Sequence, residues 1–357
     1  MTTLSSQFLL LWLLSLPLHF STEAALPAFI FGDSTFDVGT NNFLQHSTAT
    51  ANYLYNGIDF PFSHRNFLVD SSARLFGYKQ SPSPYFLLAN HSSSFKRRIF
   101  QGVNFASGGS GILNTTGFLA YGEVVSLGMQ IQQFSIVEQN IKQILGNPQA
   151  TANFFSKSIF LISVGSNDVF DYKRFNGTIG GVPVSPPELM QILLLNYTDH
   201  LTSLYNLGAR KFGIISMPPL GCCPYVRDRN NGKCLELANE FAKSFFIQMK
   251  TLLELLSKQL PGMTYSLGNS YKMTVNIIQN PLIFGIKETR KACCGNGTFN
   301  GLTQCDQTTN LCAERQDHLF WDWFHPTQAV SRLAALTLYG GSRGLVTPMN
   351  FSRLVQI

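Results

Sequence analysis

The sequence predicts an α/β protein built on a mostly parallel sheet with helices on both faces. Five short segments rich in Ile, Val and Phe recur along the chain, at residues 28–31, 99–105, 158–164, 211–216 and 263–267. Between them lie stretches where Leu, Phe, Ile and Met return every three or four residues, over 189–207 and 235–260, the periodicity of amphipathic helices. Strands alternating with helices imply parallel pairing. Small and polar residues also follow the first three strands, as Gly32-Asp33-Ser34, as ASGGSG over 106–111 and as GSND over 165–168. Those are the carboxyl ends at which such sheets bind ligands.

The chain of 357 residues begins with an apolar stretch from Phe8 to Leu18, then polar residues, then Ala24 and Ala25. This pattern predicts a cleaved secretory signal over 1–25, cut after Ala24 or Ala25, although no Lys or Arg precedes the apolar run. That run is well short of the roughly 20 residues that span a bilayer, and no later segment reaches that length, so no transmembrane anchor is expected. Without a low-complexity linker or an internal repeat, residues 26–357 are expected to form a single domain.

The 26 basic and 20 acidic residues give a formal charge of +6, and removal of the signal takes away only Glu23 among them. The mild excess is spread out. Its one cluster, Lys96-Arg97-Arg98, reads as a solvated loop rather than an anion site. No basic stripe with interleaved aromatics and no spaced Cys/His pairs occur, which argues against a nucleic-acid partner and a zinc site. Sequons at Asn90, Asn114, Asn176, Asn196, Asn296 and Asn350 are possible N-glycosylation sites in an exported chain. The seven cysteines, Cys222, Cys223, Cys234, Cys293, Cys294, Cys305 and Cys312, read there as disulfide candidates, with at least one unpaired within the chain because the number is odd.

Attack on an ester needs a nucleophile, a base, a group that orients the base, and donors for the oxyanion. Ser34, at the end of the first strand, can be the nucleophile. Asp322 and His325 in FWDWFHPT are three residues apart, so one helical turn or a tight loop puts both on one side. Asp322 then accepts from one ring nitrogen and leaves the other as general base, as in serine hydrolases. Gly109 lets a backbone N–H approach closely, Asn167 offers a side-chain amide, and the Ser34 N–H can join them. A competing serine, Ser342 in Gly340-Gly341-Ser342-Arg343-Gly344, matches a nucleophile elbow in letters only. A helical segment precedes it and no His follows, whereas that elbow requires a strand before and the acid and His after.

These stretches together resemble the plant-type GDSL esterase/lipase family of the SGNH hydrolases. The likeness runs from FIFGDSTFDVG through GVNFASGGSGIL and ISVGSND to LFWDWFHPTQA, with PPLGC and ACCG between. It implies a flavodoxin-like three-layer α/β/α sandwich, and a five-stranded sheet is expected from the five apolar segments. It implies Ser34 as nucleophile, Asp322 and His325 as the rest of the triad, and Gly109 and Asn167 as oxyanion donors with the Ser34 N–H. No metal or organic cofactor is then required, because Ser, His and amide donors handle the developing charge. The expected activity is hydrolysis of lipid or cell-wall acyl esters, small or polymer-bound, by a secreted enzyme of the apoplast or cell wall. The alternatives are an acyltransferase using the same acyl-enzyme, or an inactive extracellular binding protein on this fold. The cysteines fit the family positions except Cys223, which is expected to be the odd thiol. Two departures stand out: Thr35 replaces the Leu of the family name, and the stretch IDFPFSHRNFLVDSSARLFGYKQ, residues 58–80, is shortened around Phe62–Arg65.

Overall fold

The computed structural model describes residues 26–50, 52, 54–58, 78, 80–174 and 176–357. The expected signal over 1–25 and the shortened stretch around Phe62–Arg65 lie outside the described residues.

Among the described residues, six strands form the central sheet: β1 (Ala28–Gly32), β2 (Gly102–Asn104), β3 (Ile159–Ser163), β4 (Lys211–Ile215), β5 (Thr264–Gly268) and β6 (Val346–Thr347). Their spatial order is β6-β5-β4-β3-β1-β2. All pairs are parallel except β6 on β5. The five apolar segments thus supply the parallel strands, and the expected five-stranded sheet is corrected by one edge strand. Two residues paired antiparallel to Gly268 and Leu267 leave no apolar run long enough to read. The segment 99–105 is also divided, with Ile99–Gln101 forming a 3-10 turn and only Gly102–Asn104 entering the sheet. A short apolar run cannot distinguish a buried helix end from a strand. Lys96-Arg97-Arg98 likewise fall in the last turn of a helix, Ser92–Arg98, rather than in a loop. The C-terminal end of a helix dipole favours cations there, and Arg98 donates to the Ser83 hydroxyl at 2.6 Å.

The two faces of β1 divide the core. Phe29 and Phe31 point into a cluster with residues of α1 (Leu127–Leu145), α4 (Pro186–Asn206) and α5 (Glu236–Gln259). Ala28 and Ile30 point the other way, toward α6 (Ser270–Gln279), α7 (Gln328–Gly340) and α8 (Phe351–Gln356). Strand side chains alternate between faces, so the pattern yields a three-layer α/β/α sandwich. Two further helices, α2 (Pro148–Lys157) and α3 (Ser166–Arg174), flank β3. Ser185 and Glu188 form a reciprocal capping box that starts α4, ahead of the Leu periodicity that runs to its end.

Candidate active site

Chain order reverses between β1 and β3, since β1 is followed by β2 on one side and pairs with β3 on the other. At such a switch point the loops leave the sheet in opposite directions and open a crevice. Ser34 follows β1 there, and Asn167 follows β3.

The turn that exposes Ser34 is fixed on every side. Gly32 has φ 144°, and a Cβ there would lie 2.1 Å from the Ser163 carbonyl oxygen, so this position excludes other side chains. Its N–H donates to Gln130 Oε1 at 2.8 Å, and its carbonyl accepts from Gln130 Nε2 at 2.8 Å and from the Ser110 hydroxyl at 2.9 Å. Gln130 is fully buried on α1. The Asp33 N–H continues the sheet pattern to Ser163 O at 3.0 Å, while its carbonyl accepts from Phe36 and Asp37.

Asp322 and His325 are delivered from across the cleft by a bend rather than by a helical turn. The strand His318–Phe320 pairs in parallel with Glu288–Ala292, and the Cys293 and Cys294 N–H groups donate to Phe320 and Trp321 carbonyls. Asp322 Oδ1 accepts the Phe324 and His325 N–H groups at 2.9 and 2.8 Å. His325 Nδ1 lies 2.9 Å from both Asp322 oxygens, and Nε2 lies 2.8 Å from Ser34 Oγ. An ionised carboxylate only accepts, so Nδ1 carries the proton and Nε2 is free to accept from Ser34. Burial by itself pulls the His325 pKa down, but the adjacent Asp322 charge and hydrogen bond outweigh it and hold the imidazole above its ordinary value. Burial pushes Asp322 up, yet His325 and two backbone N–H groups bring its carboxyl below the ordinary value.

Gly109 and Asn167 line the same cavity as Ser34, with a volume of about 260 Å³. Asn167 Nδ2 donates one hydrogen to Ser110 O at 2.9 Å, which orients the amide. Gly109 has φ 81°, and Tyr121 packs so closely that an added Cβ would lie 2.6 Å from its ring. Its neighbour Gly108 is held through its N–H by Asp37 Oδ2 at 2.9 Å and through its carbonyl by Asn41 Nδ2 at 2.8 Å. Asp168 accepts three hydrogen bonds from the loop beyond Gly109, and burial raises its pKa to about 6. Beside His325, the Phe324 ring packs on Phe170 and Tyr225, with centroids 4.8 Å away in both cases. Phe170 and Phe324 line the cavity and make that wall of the cleft apolar.

All five residues expected to act in catalysis therefore meet at one cavity. The reading missed Gln130, Asp37, Asn41 and Asp168, which hold the loops. Gln130 did leave a signal, as an amide on the apolar face of α1 between Leu127 and Ile131. Ser342 sits in the exposed turn after α7, not behind a strand. Asn90, Asn114 and Asn176 are exposed, whereas Asn196, Asn296 and Asn350 are half-buried. Asn350 also accepts the Arg353 N–H as the cap of α8. The disulfides are Cys222–Cys234, Cys293–Cys312 and Cys294–Cys305. Cys223 is the free, buried thiol, as expected, and burial pushes its pKa up to about 12. Among the described residues, no helix is long and apolar enough to cross a membrane.

A Ser–His–Asp chain at the carboxyl edge of a parallel α/β sheet has the geometry of the serine hydrolases. The profile of the GDSL-like lipase/acylhydrolase family matches residues 29–338. Three Arabidopsis thaliana proteins named GDSL esterase/lipase are similar over nearly their whole lengths. One is 35% identical over 93% of this chain and 92% of its own; a second is 35% identical over 92% and 87%; a third is 33% identical over 93% and 90%. The chain belongs to the GDSL esterase/lipase family and is a carboxylic ester hydrolase.

Proposed function

We propose that this hydrolase is secreted and cleaves acyl esters through an acyl-Ser34 intermediate. The observation that carries the reading is the unbroken contact chain from Ser34 Oγ to His325 Nε2 at 2.8 Å and from His325 Nδ1 to Asp322 at 2.9 Å. As Ser34 Oγ attacks the ester carbonyl, its proton passes to His325 Nε2. Asp322 keeps the ring oriented and stabilises the imidazolium. The new C–O bond leaves a negative charge on the carbonyl oxygen, and the Gly109 N–H, the Asn167 amide and the Ser34 N–H receive it. Collapse expels the alcohol, which takes its proton from His325. Water then repeats the sequence on the acyl-enzyme, with His325 first accepting the water proton and then returning one to Ser34. The apolar wall at Phe170 and Phe324 suits the acyl or alcohol part of a lipid or cell-wall ester.

Secretion is supported by the N-terminal apolar run, the sequons and the three disulfides, since such bonds persist in oxidising compartments. Residues 26–357 act as one hydrolase domain in this reading. The test is ester hydrolysis by the wild type and by Ser34→Ala, with intact-mass analysis of rapidly quenched reactions. Wild-type protein should gain the mass of one acyl group, and the variant should lose at least about 10⁴-fold in kcat. Wild-type turnover by Ser34→Ala would refute the mechanism.

A further inference from the structure

Helix α3 does more than carry Asn167. The loop after β2, residues 105–117, runs along this helix and is tied to it by side chains instead of strand pairing. Asp168 is 2% exposed. Its Oδ2 accepts the Ile112 N–H at 2.9 Å, and its Oδ1 accepts the Leu113 N–H at 3.0 Å and the Thr116 hydroxyl at 2.7 Å. The carboxylate also lies against the Gly111 backbone, where an added Cβ would come within 2.5 Å of Oδ1. One turn further along, Asp171 accepts the Gly117 N–H at 2.7 Å and pairs with Arg174 at 3.3 Å. The Arg174 guanidinium lies 5.5 Å from the centroid of Tyr121, the ring that backs Gly109. From α4, His200 Nε2 meets the Ile112 carbonyl at 2.9 Å. The same helix thus holds Ser110 through Asn167 and residues 112–117 through Asp168 and Asp171.

We propose that Asp168 is a positioning residue for the oxyanion hole, fixing the loop so that the Gly109 N–H and the Asn167 amide converge on one oxygen. The inference rests on the reading of Gly109 and Asn167 as oxyanion donors. Only an acceptor with two oxygens satisfies three converging donors, so an amide at this position turns an N–H toward another donor. A loosened loop lets the Gly109 N–H drift. Oxyanion donors act on charge that develops in the transition state, so the loss falls on kcat and leaves KM nearly unchanged.

The experiment is a double-mutant cycle of Asp168→Asn and Asn167→Ala, with Thr116→Val as a milder second probe of the same contact. Hydrolysis is measured as kcat per active site, with sites counted by fluorophosphonate titration so that misfolded protein drops out. Asn167→Ala should lower kcat by about 10²–10³-fold. Asp168→Asn should lower it by about 10–100-fold, since a displacement near 1 Å has that cost, with KM changed less than about 3-fold. On the Asn167→Ala background, Asp168→Asn should add less than about 3-fold, because both act through one unit. Thr116→Val should lower kcat a few-fold in the same non-additive way, and it decides the matter if Asp168→Asn does not fold. Unchanged kcat per site in both probes, or full effects that multiply with Asn167→Ala, would overturn the positioning role alone. Wild-type kcat in Asn167→Ala would overturn the oxyanion reading and this proposal with it.

Discussion

In the proposed mechanism His325 needs a free Nε2 to take the Ser34 proton, so its protonation state sets the acid limit of activity. Burial lowers its pKa, but Asp322 raises it further, and the result lies above the ordinary value for histidine, about 6.5. As the pH falls through that raised pKa, Nε2 becomes protonated and cannot accept. The acid limb of kcat/KM should therefore have its midpoint above about 6.5. Asp322→Asn removes the charge that raises the pKa, so the limb should move down while kcat falls about 10⁴-fold. A pH–rate profile of both proteins checks this, and an unshifted limb would remove His325 as the titrating base. Ser34, Asp322 and His325 were singled out because their motifs, each weak alone, together resemble the family, and the three side chains do form one contact chain. Asp37 and Gln130 were not, because a buried polar group that bonds backbone across 71 or 98 residues of sequence leaves no local spacing to read.

At the scale of elements, the Asp322–His325 bend is only as well placed as the segment before it. Cys293–Cys312 and Cys294–Cys305 staple that segment across sequence separations of 19 and 11 residues, and the Cys294 N–H holds Trp321. Replacing Cys294 and Cys305 by Ser should lower stability by about 2–5 kcal/mol, read from denaturant unfolding, and should reduce the fraction of protein with a titratable site. Unchanged stability would mean that the strand pairing suffices without the staple. Gly109→Ala offers a second test on the opposite loop. With φ 81° and the Tyr121 ring 2.6 Å from the added Cβ, the substitution should cost about 1–3 kcal/mol and lower kcat by at least about 10-fold. The long helices were legible to within a few residues, since α4 and α5 repeat their apolar pattern over several turns. Strand β6 was not, because two residues held by tertiary pairing carry no periodicity of their own, and Ile99–Gln101 shows that apolar content fixes burial before it fixes conformation.

Across the whole molecule, one sheet converts distant sequence into a local site: Ser34 and His325 are 291 residues apart in sequence, yet Oγ and Nε2 meet at 2.8 Å. The order of β1, β2 and β3 opens the crevice, and two families of helices bury its floor. Export is tested at this scale too. Expression in a secretory host should give medium protein whose N-terminus follows Ala24 or Ala25, and an uncleaved, cell-retained chain would contradict secretion. The measurement that bears most directly on the catalytic reading is labelling of the folded, secreted protein with a fluorophosphonate, followed by mass mapping of the modified serine. Fluoride should be displaced by Ser34 Oγ alone, with no label in Ser34→Ala. Absence of label on folded protein, or label on another serine such as Ser342, would contradict the assignment of Ser34 as the activated nucleophile.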